Sequence, residues 1–277
     1  MSAIPSAIPA DLALKERHRS MWASGDYPLI ARELVAPLGR ELVAALDVGP
    51  GQHVLDVASG TGNASVPAAR AGAAVTASDL TPELLDAGQR TAPDAGVHWE
   101  VADAEALPYT DRSFDVVMSC IGVMFAPHHQ RAADEMARVC RPGGRVGVLS
   151  WTPDGTIGRL FAAMRDFMPP PPEGASPPPL WGDEQHVREL FGGTLESVAV
   201  ERHTLPVARF SSATEFREYF RDNYGPSLAT YRLHANDPGR TRALDAAVEE
   251  VATTRNTATD GGFAMEWGYV IVTGTRV

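Results

Sequence analysis

Three aspartates stand out by their spacing. Asp56, Asp79 and Asp103 follow one another at intervals of 23 and 24 residues. Each sits at the end of a short run of β-favouring residues: Val54-Leu55-Asp56-Val57, Val75 to Asp79, and Val101-Ala102-Asp103. A carboxylate at such a place can accept hydrogen bonds from two adjacent hydroxyls, from an amino group or from an ammonium. After the first run come Gly60 and Gly62, and no further breaker until Pro67. Without a Cβ, both glycines let backbone come close to a ligand. The N–H groups that open the following helix favour an anionic group in the same space. Residues 54–65 therefore read as strand, tight turn and helix start, the form of a nucleotide-type cofactor site.

The intervals match one strand-plus-helix unit each. They place all three acids at the carboxyl edge of neighbouring strands, where open α/β sheets bind ligands. The rest of the pattern supports this. Strands are expected at His53 to Val57, Ala74 to Ala77, Val97 to Val101, Phe114 to Ser119 and Arg145 to Trp151. Helices are expected at Asn63 to Ala71, from Thr81-Pro82-Glu83 to about Arg90, and at His129 to Cys140. Alternation of this kind implies right-handed crossovers and a parallel sheet covered on both faces. Before it, residues 1–10 read as loose and 11–24 as a polar helix. The apolar pattern from Leu29 to Leu46 is split at Pro37 into two helices. After it come a helix near Gly158 to Phe167, a proline-rich loop over 168–179, and a helix from Asp183 to Phe191. Thr194 to Leu205 reads as one strand or two short ones, Thr214 to Arg221 and Arg240 to Ala252 as helices, and Glu266 to Thr273 as a closing strand. Domain organisation is expected as a helical cap over 1–50, a cofactor-binding core over 51–151, and lid, substrate-binding and closing-strand segments over 152–277.

Composition narrows the function class. A chain of 277 residues with 44% apolar content can bury a sizeable core. Its net charge of -11 repels a phosphate backbone and an anionic bilayer, so neither nucleic acid nor membrane is an expected partner. Cys120 and Cys140 are the only cysteines, too few for a disulfide framework. There is no Cys-x-x-Cys, and the adjacent pair His128-His129 has poor geometry for one ion, so no metal is expected. The N-terminus lacks the pattern of a signal peptide, and the expected location is cytoplasmic.

Four segments taken together carry a family resemblance: Val54–Ser65, Val75–Leu85, Val101–Val117 with Asp-Ala-x-x-Leu-Pro and Ser-Phe-Asp-Val-Val, and Arg138–Val148 with Arg-x-x-Arg-Pro-Gly-Gly. The chain resembles the class I S-adenosylmethionine-dependent methyltransferases, of the broad group that includes the ubiquinone and menaquinone methyltransferases. Ala58 departs from the family, which usually has Gly there, and tightens the turn's clearance. The resemblance implies a Rossmann-like α/β fold: a seven-stranded, mostly parallel sheet with helices on both faces, N-terminal helices and a helical lid insertion. S-adenosylmethionine is the implied cofactor. Its methionine carboxylate suits the backbone around Gly60, Thr61 and Gly62, with Ala58 in the same turn. Its ammonium suits Asp56 and its ribose suits Asp79. Its adenine suits Asp103 and the Ala104 N–H, between Leu80 and Leu107. Ser119, Cys120 and the residues up to Gly122 would line the methionine side.

Methyl transfer is an in-line displacement that needs mainly alignment of the reacting atoms. Where the acceptor must lose a proton, His128 is the first candidate base and His129 the second. Trp22, Tyr27, Trp151 and Tyr224, with His128, are the candidate substrate contacts. Met21 and Trp181 belong to the same lid regions. Their aromatic faces suit a small, rather apolar acceptor, with O, N and activated C all open as the methylated atom. Two other classes compete. A nicotinamide-dependent oxidoreductase would have Gly or Ala where Ser65 stands. A non-catalytic binder of S-adenosylmethionine would look the same in its cofactor half.

Overall fold

The structure is a computed structural model that describes residues 9–277. The expectation of a loose N-terminus falls, for residues 1–8, outside the described part. Seven strands form one sheet: β1 (His53–Val57), β2 (Ala74–Asp79), β3 (His98–Val101), β4 (Phe114–Cys120), β5 (Cys140–Trp151), β6 (Leu195–Val207) and β7 (Met265–Arg276). Their order is β3-β2-β1-β4-β5-β7-β6. β1 to β5 run parallel, and β7 runs antiparallel to both β5 and β6. β1 pairs with β2 on one side and with β4 on the other, so the chain reverses its winding between them. That reversal opens a crevice at the carboxyl ends of the strands.

The buried strands are near-continuous apolar runs, as a sheet covered on both faces requires. Val54, Leu55, Val57, Val116, Val117 and Met118 are all fully buried. Helices flank the sheet: α4 (Ser65–Arg70), α5 (Pro82–Thr91) and α6 (His129–Val139) belong to the crossovers. Before β1 lie α1 (Pro9–Ala23), α2 (Tyr27–Ile30), a π-helical stretch Ala31–Val35, and α3 (Ala36–Ala45). Pro37 opens α3 in its first turn, as its missing N–H and fixed φ favour. Leu38, Leu42 and Leu46 recur at four-residue spacing and are fully buried. Each contributes about 1.5–3 kcal/mol of apolar transfer energy.

After β5 come α7 (Thr156–Arg165) and α8 (Glu184–Phe191); between β6 and β7 come α9 (Ala213–Asn223), α10 (Gly225–Leu233) and α11 (Pro238–Thr254). α10 is a helix that the sequence pattern reads only as a turn at 223–226. Gly225 and Pro226 do open a new direction, and Pro226 then starts the helix. The Pro142-Gly143-Gly144 turn is absorbed into β5. Pairing passes from Phe114↔Cys140 to Val116↔Arg145, so these residues form a bulged entry to the strand. β6 is one strand with a bulge between Glu196 and Ala199, where two short strands were the alternative.

The helices outside the sheet meet over the crevice. The Asp26 N–H donates to the Asn223 carbonyl at 2.9 Å, fastening the α1–α2 turn to the end of α9. Trp22 packs on Phe125 with ring centroids 4.6 Å apart, on Tyr27 at 5.4 Å and on Tyr224 at 6.0 Å. The proline-rich strap is pinned to the loop after β4 by the Ser176 N–H, which donates to the Pro127 carbonyl at 2.9 Å. No helix of the described residues is long and apolar enough to cross a membrane.

Candidate active site

The turn after β1 is wound left-handed at three places: Ala58 (φ 53°), Gly60 (φ 56°) and Gly62 (φ 84°). For glycine this conformation is free; for Ala58 it costs about 1–2 kcal/mol. The departure at Ala58 is therefore one of backbone conformation, and clearance is the lesser effect. Ile121, just past β4, is also left-handed (φ 52°), an uncommon state for a β-branched residue. The two turns are packed together: a Cβ on Gly122 would lie 2.0 Å from the Ala58 carbonyl oxygen. Hydrogen bonds hold the arrangement. The Ser59 N–H donates to the Ser78 carbonyl at 2.9 Å, and the Ile121 N–H to the Leu149 carbonyl at 2.8 Å. The buried Ser119 hydroxyl donates to the Val57 carbonyl at 2.6 Å and accepts from the Val123 N–H at 2.8 Å. Ser119 thus braces the site from behind, while Cys120 faces its wall.

Asp79 ends β2 and is 8% exposed. One oxygen accepts the Gly60 N–H and the other the Thr81 N–H, each at 2.8 Å. Burial raises its pKa, and these backbone donors oppose that. Both oxygens keep a lone pair, so the carboxylate can take two hydroxyls. Asp103 accepts the Glu105 N–H at 2.9 Å with one oxygen, and its other oxygen holds the Lys15 ammonium of α1. Lys15 also lies 3.2 Å from Glu105 and 3.4 Å from Asp11. Asp11, Glu105 and His128 have ligand atoms within 4.8 Å of one another, and Lys15 is the cation seated against this group. Asp56 differs from the other two acids. It is 1% exposed and walled in behind the turn. One oxygen accepts the Ser65 hydroxyl, and the other has no partner among the described residues. Burial pushes its carboxyl up to about 7, the Ser65 bonds oppose this, and the charge of Asp79 adds to it.

Two adjoining hollows occupy the crevice. One is floored by Gly60, Asp79, Leu80, Asp103 and Ala104 and roofed by Lys15, His18 and Trp22 of α1. The other is walled by Tyr27, Phe125, Trp151, Phe161, Phe220, Tyr224 and Trp267, with Thr61 and Asn63 of the turn and Cys120 at the end of β4. Tyr27, Ala58, Gly60, Ile121 and Phe125 line both. The first hollow fits S-adenosylmethionine. Asp79 offers spare lone pairs to a ribose, Asp103 an acceptor to adenine, and Leu80, Leu84 and Trp22 apolar faces to the ring. Asp56 lines neither hollow, so the ammonium contact expected of it is not formed there.

Several expected contacts fall elsewhere. Leu107 does not line the hollow: it is buried, its N–H bonded to Glu135 at 2.7 Å and its carbonyl to Arg138 at 3.0 Å. Gly62 lies behind the turn, where an added Cβ would meet Trp99 at 2.5 Å. Trp22 roofs the cofactor hollow and not the aromatic one. Trp181 is fully buried against Phe191 and His129, a core residue. His128 also lines neither hollow. Its ring Nδ1 lies 3.0 Å from the Glu105 carboxylate, which also accepts its backbone N–H at 2.7 Å. Position and partner give it a role in seating α1 and the loop after β4. His129 is buried and shares a 3.0 Å hydrogen bond with His186; burial and the neighbouring His186 hold its ring down to about 4. The sequence pattern missed Phe125, Phe161, Phe220 and Lys15, while Ile121 falls within the expected stretch from Ser119 to Gly122. Only proximity to the end of β4 marks Phe125; nothing in their own segments marks the others.

Comparison with known proteins bears on the family and the fold. Residues 55–148 match the family model of the methyltransferase domain. The chain is 48% identical over 261 residues to the uncharacterized protein Rv1403c of Mycobacterium tuberculosis, covering 94% of each chain. It is 42% identical over 126 residues to the demethylmenaquinone methyltransferase of Mycobacterium sp. (strain KMS), covering 45% of this chain and 52% of that one. Among solved structures, a Haloferax volcanii protein in complex with the Trm112 methyltransferase activator superposes with a TM-score of 0.59. Identity there is 18%, with coverage of 93% of this chain and 95% of that one.

Proposed function

The chain belongs to the class I S-adenosylmethionine-dependent methyltransferases, with S-adenosylmethionine as its cofactor, and on that premise we propose that it methylates a small, rather apolar molecule at O, N or an activated C. One observation carries this reading: a hollow built on carboxylates adjoins a hollow built on aromatic rings, and five residues line both. The cofactor supplies an electrophilic methyl group. The chain's own residues do the rest. Asp79 and Asp103 bind and orient; the Ala58–Gly62 and Ile121–Gly122 turns set the boundary between the hollows. The aromatic wall excludes water and favours positive charge through its ring faces. Holding the reacting atoms about 3–3.5 Å apart accounts for much of the catalysis such a displacement needs. His128 keeps only a positioning role in this proposal, and Tyr27, Trp151 and Tyr224 are the proposed acceptor contacts.

The test is a screen of labelled methyl transfer onto small acceptors graded by polarity. Transfer to flat aromatic acceptors is expected, with little to cationic ones of equal size. Preference for cationic acceptors would contradict the proposed substrate class.

A further inference from the structure

The aromatic hollow contains no group able to take a proton. Among the described residues none of its lining side chains is Asp, Glu, His, Lys or Arg. Lys15 and His18 stand on the roof of the adjoining cofactor hollow and not in this wall, and the other titratable groups in or near it are engaged or held neutral. Burial pushes the Cys120 thiol up, and Asp56 and Glu41 push it further. Burial likewise raises Tyr27, helped by Asp79 and Cys120, and Tyr224, helped by Tyr27. Asp56 sits behind the turn on Ser65, Asp79 is bound by two backbone N–H groups, and Glu41 accepts the Tyr269 hydroxyl. His128 is outside the wall, paired with Glu105. A neutral alcohol in this hollow has nothing to accept its proton. An amine entering as ammonium has nothing to neutralise it, beside a cofactor that is itself cationic.

We propose that the methyl acceptor is an acidic phenol or enol that enters already ionised, and that the hydroxyls of Tyr27 and Tyr224 receive its oxygen; this rests on the transferase reading above. The two rings have centroids 6.4 Å apart on the same wall. Both resist ionisation and so remain donors to an anion. Phe161 stacks on Tyr224 with ring centroids 6.1 Å apart at 11°, which fixes that ring in the wall. In the step, an oxygen lone pair forms the new O–C bond while the C–S bond breaks and its electron pair stays on sulfur. No proton moves. The negative charge of the acceptor and the positive charge of the sulfonium both vanish. A charge-cancelling displacement of this kind is favoured where water is excluded, because the transition state carries less charge than the separated ions.

The test uses nitrophenols of graded acidity with the whole chain. Their absorption distinguishes anion from neutral phenol, so binding to the S-adenosylhomocysteine complex reports the ionisation state without turnover. Transfer from S-adenosylmethionine then gives kcat/KM against pH. The proposal expects the bound nitrophenol to be the anion, and kcat/KM to level off at each acceptor's own pKa. It expects Tyr224→Phe and Tyr27→Phe each to weaken anion binding by about tenfold or more. Tyr224→Phe should leave S-adenosylhomocysteine affinity unchanged, since Tyr224 lines only the aromatic hollow. Binding of the neutral phenol, no binding of nitrophenols, a pH break fixed at one value for every acceptor, or preferred methylation of amines would overturn it. Absence of heat on titrating S-adenosylhomocysteine would remove the transferase reading itself, and this proposal with it.

Discussion

In the cofactor hollow, polar atoms are set by the backbone. Asp79 is gripped by the N–H groups of Gly60 and Thr81, Asp103 by that of Glu105, and the turn itself by strand-to-strand hydrogen bonds. In the aromatic hollow, shape is set by side chains from segments far apart in the chain. Tyr27 comes from α2, Phe161 from α7, Phe220 from α9, Tyr224 from the α9–α10 junction and Trp267 from β7. A site fixed by backbone keeps its ligand geometry while its surroundings vary. A site fixed by side-chain packing changes its ligand with each ring that changes. The contrast matches a common methyl donor serving a particular acceptor.

Substitutions can test that division. Asp79→Ala removes the acceptor proposed for the ribose and leaves two backbone N–H groups unpaired. It should weaken S-adenosylmethionine binding by about 1.5–3 kcal/mol, the range for hydrogen bonds to a charged group. Calorimetry checks this, and unchanged affinity would break the assignment. Phe161→Ala should act on the other side only. Loss of a half-buried ring from the wall should raise the acceptor's KM by an amount equivalent to about 1 kcal/mol or somewhat more, while cofactor affinity holds. An equal loss on both sides would show that the hollows are not separable.

Asp56 sharpens the comparison through pH. Its carboxyl has an ordinary value of 3.8 and is pushed to about 7 in the fold. Between those values the unfolded chain releases the proton and the folded chain keeps it, so stability falls as pH rises through this window and levels off above it. His129 acts with the opposite sign. Its ring is held to about 4 from 6.5, so its contribution is complete above 6.5 and is lost as pH falls towards 4. The two partly cancel in the parent chain. Asp56→Asn should therefore make stability rise more steeply with pH between about 4 and 7, read from denaturant midpoints at several pH values. A curve parallel to the parent's would mean that Asp56 is ionised in the fold. The smallest effect is expected from Ala58→Gly. It relieves a left-handed alanine but adds chain entropy, for a net gain below about 1 kcal/mol, seen as a small rise in Tm.

The same division governs what the sequence made legible. The three strand-end aspartates, the Gly60–Gly62 turn and the alternation of strands and helices are local signals, and they place the first five strands within a few residues. Which aspartate faces the hollow is not a local matter. Asp56 and Asp79 look alike in sequence, yet Ser65 and the turn enclose one and leave the other on the floor. His128 is adjacent to the site in sequence, but its partner Glu105 turns it away. Trp151 and Trp181 carry the same side chain in the same half of the chain; packing puts one in the wall and the other in the core. The closing strand β7 is legible as Glu266 to Thr273, but its antiparallel pairing and the helix α10 depend on long-range packing, which no periodicity encodes.

The most direct test of the central claim is calorimetric titration of the chain with S-adenosylmethionine beside NADH, repeated on Asp79→Ala. The account predicts one S-adenosylmethionine per chain, no heat with NADH, and binding weakened by at least about tenfold in the variant. Binding of NADH with no S-adenosylmethionine binding at millimolar concentration would contradict it.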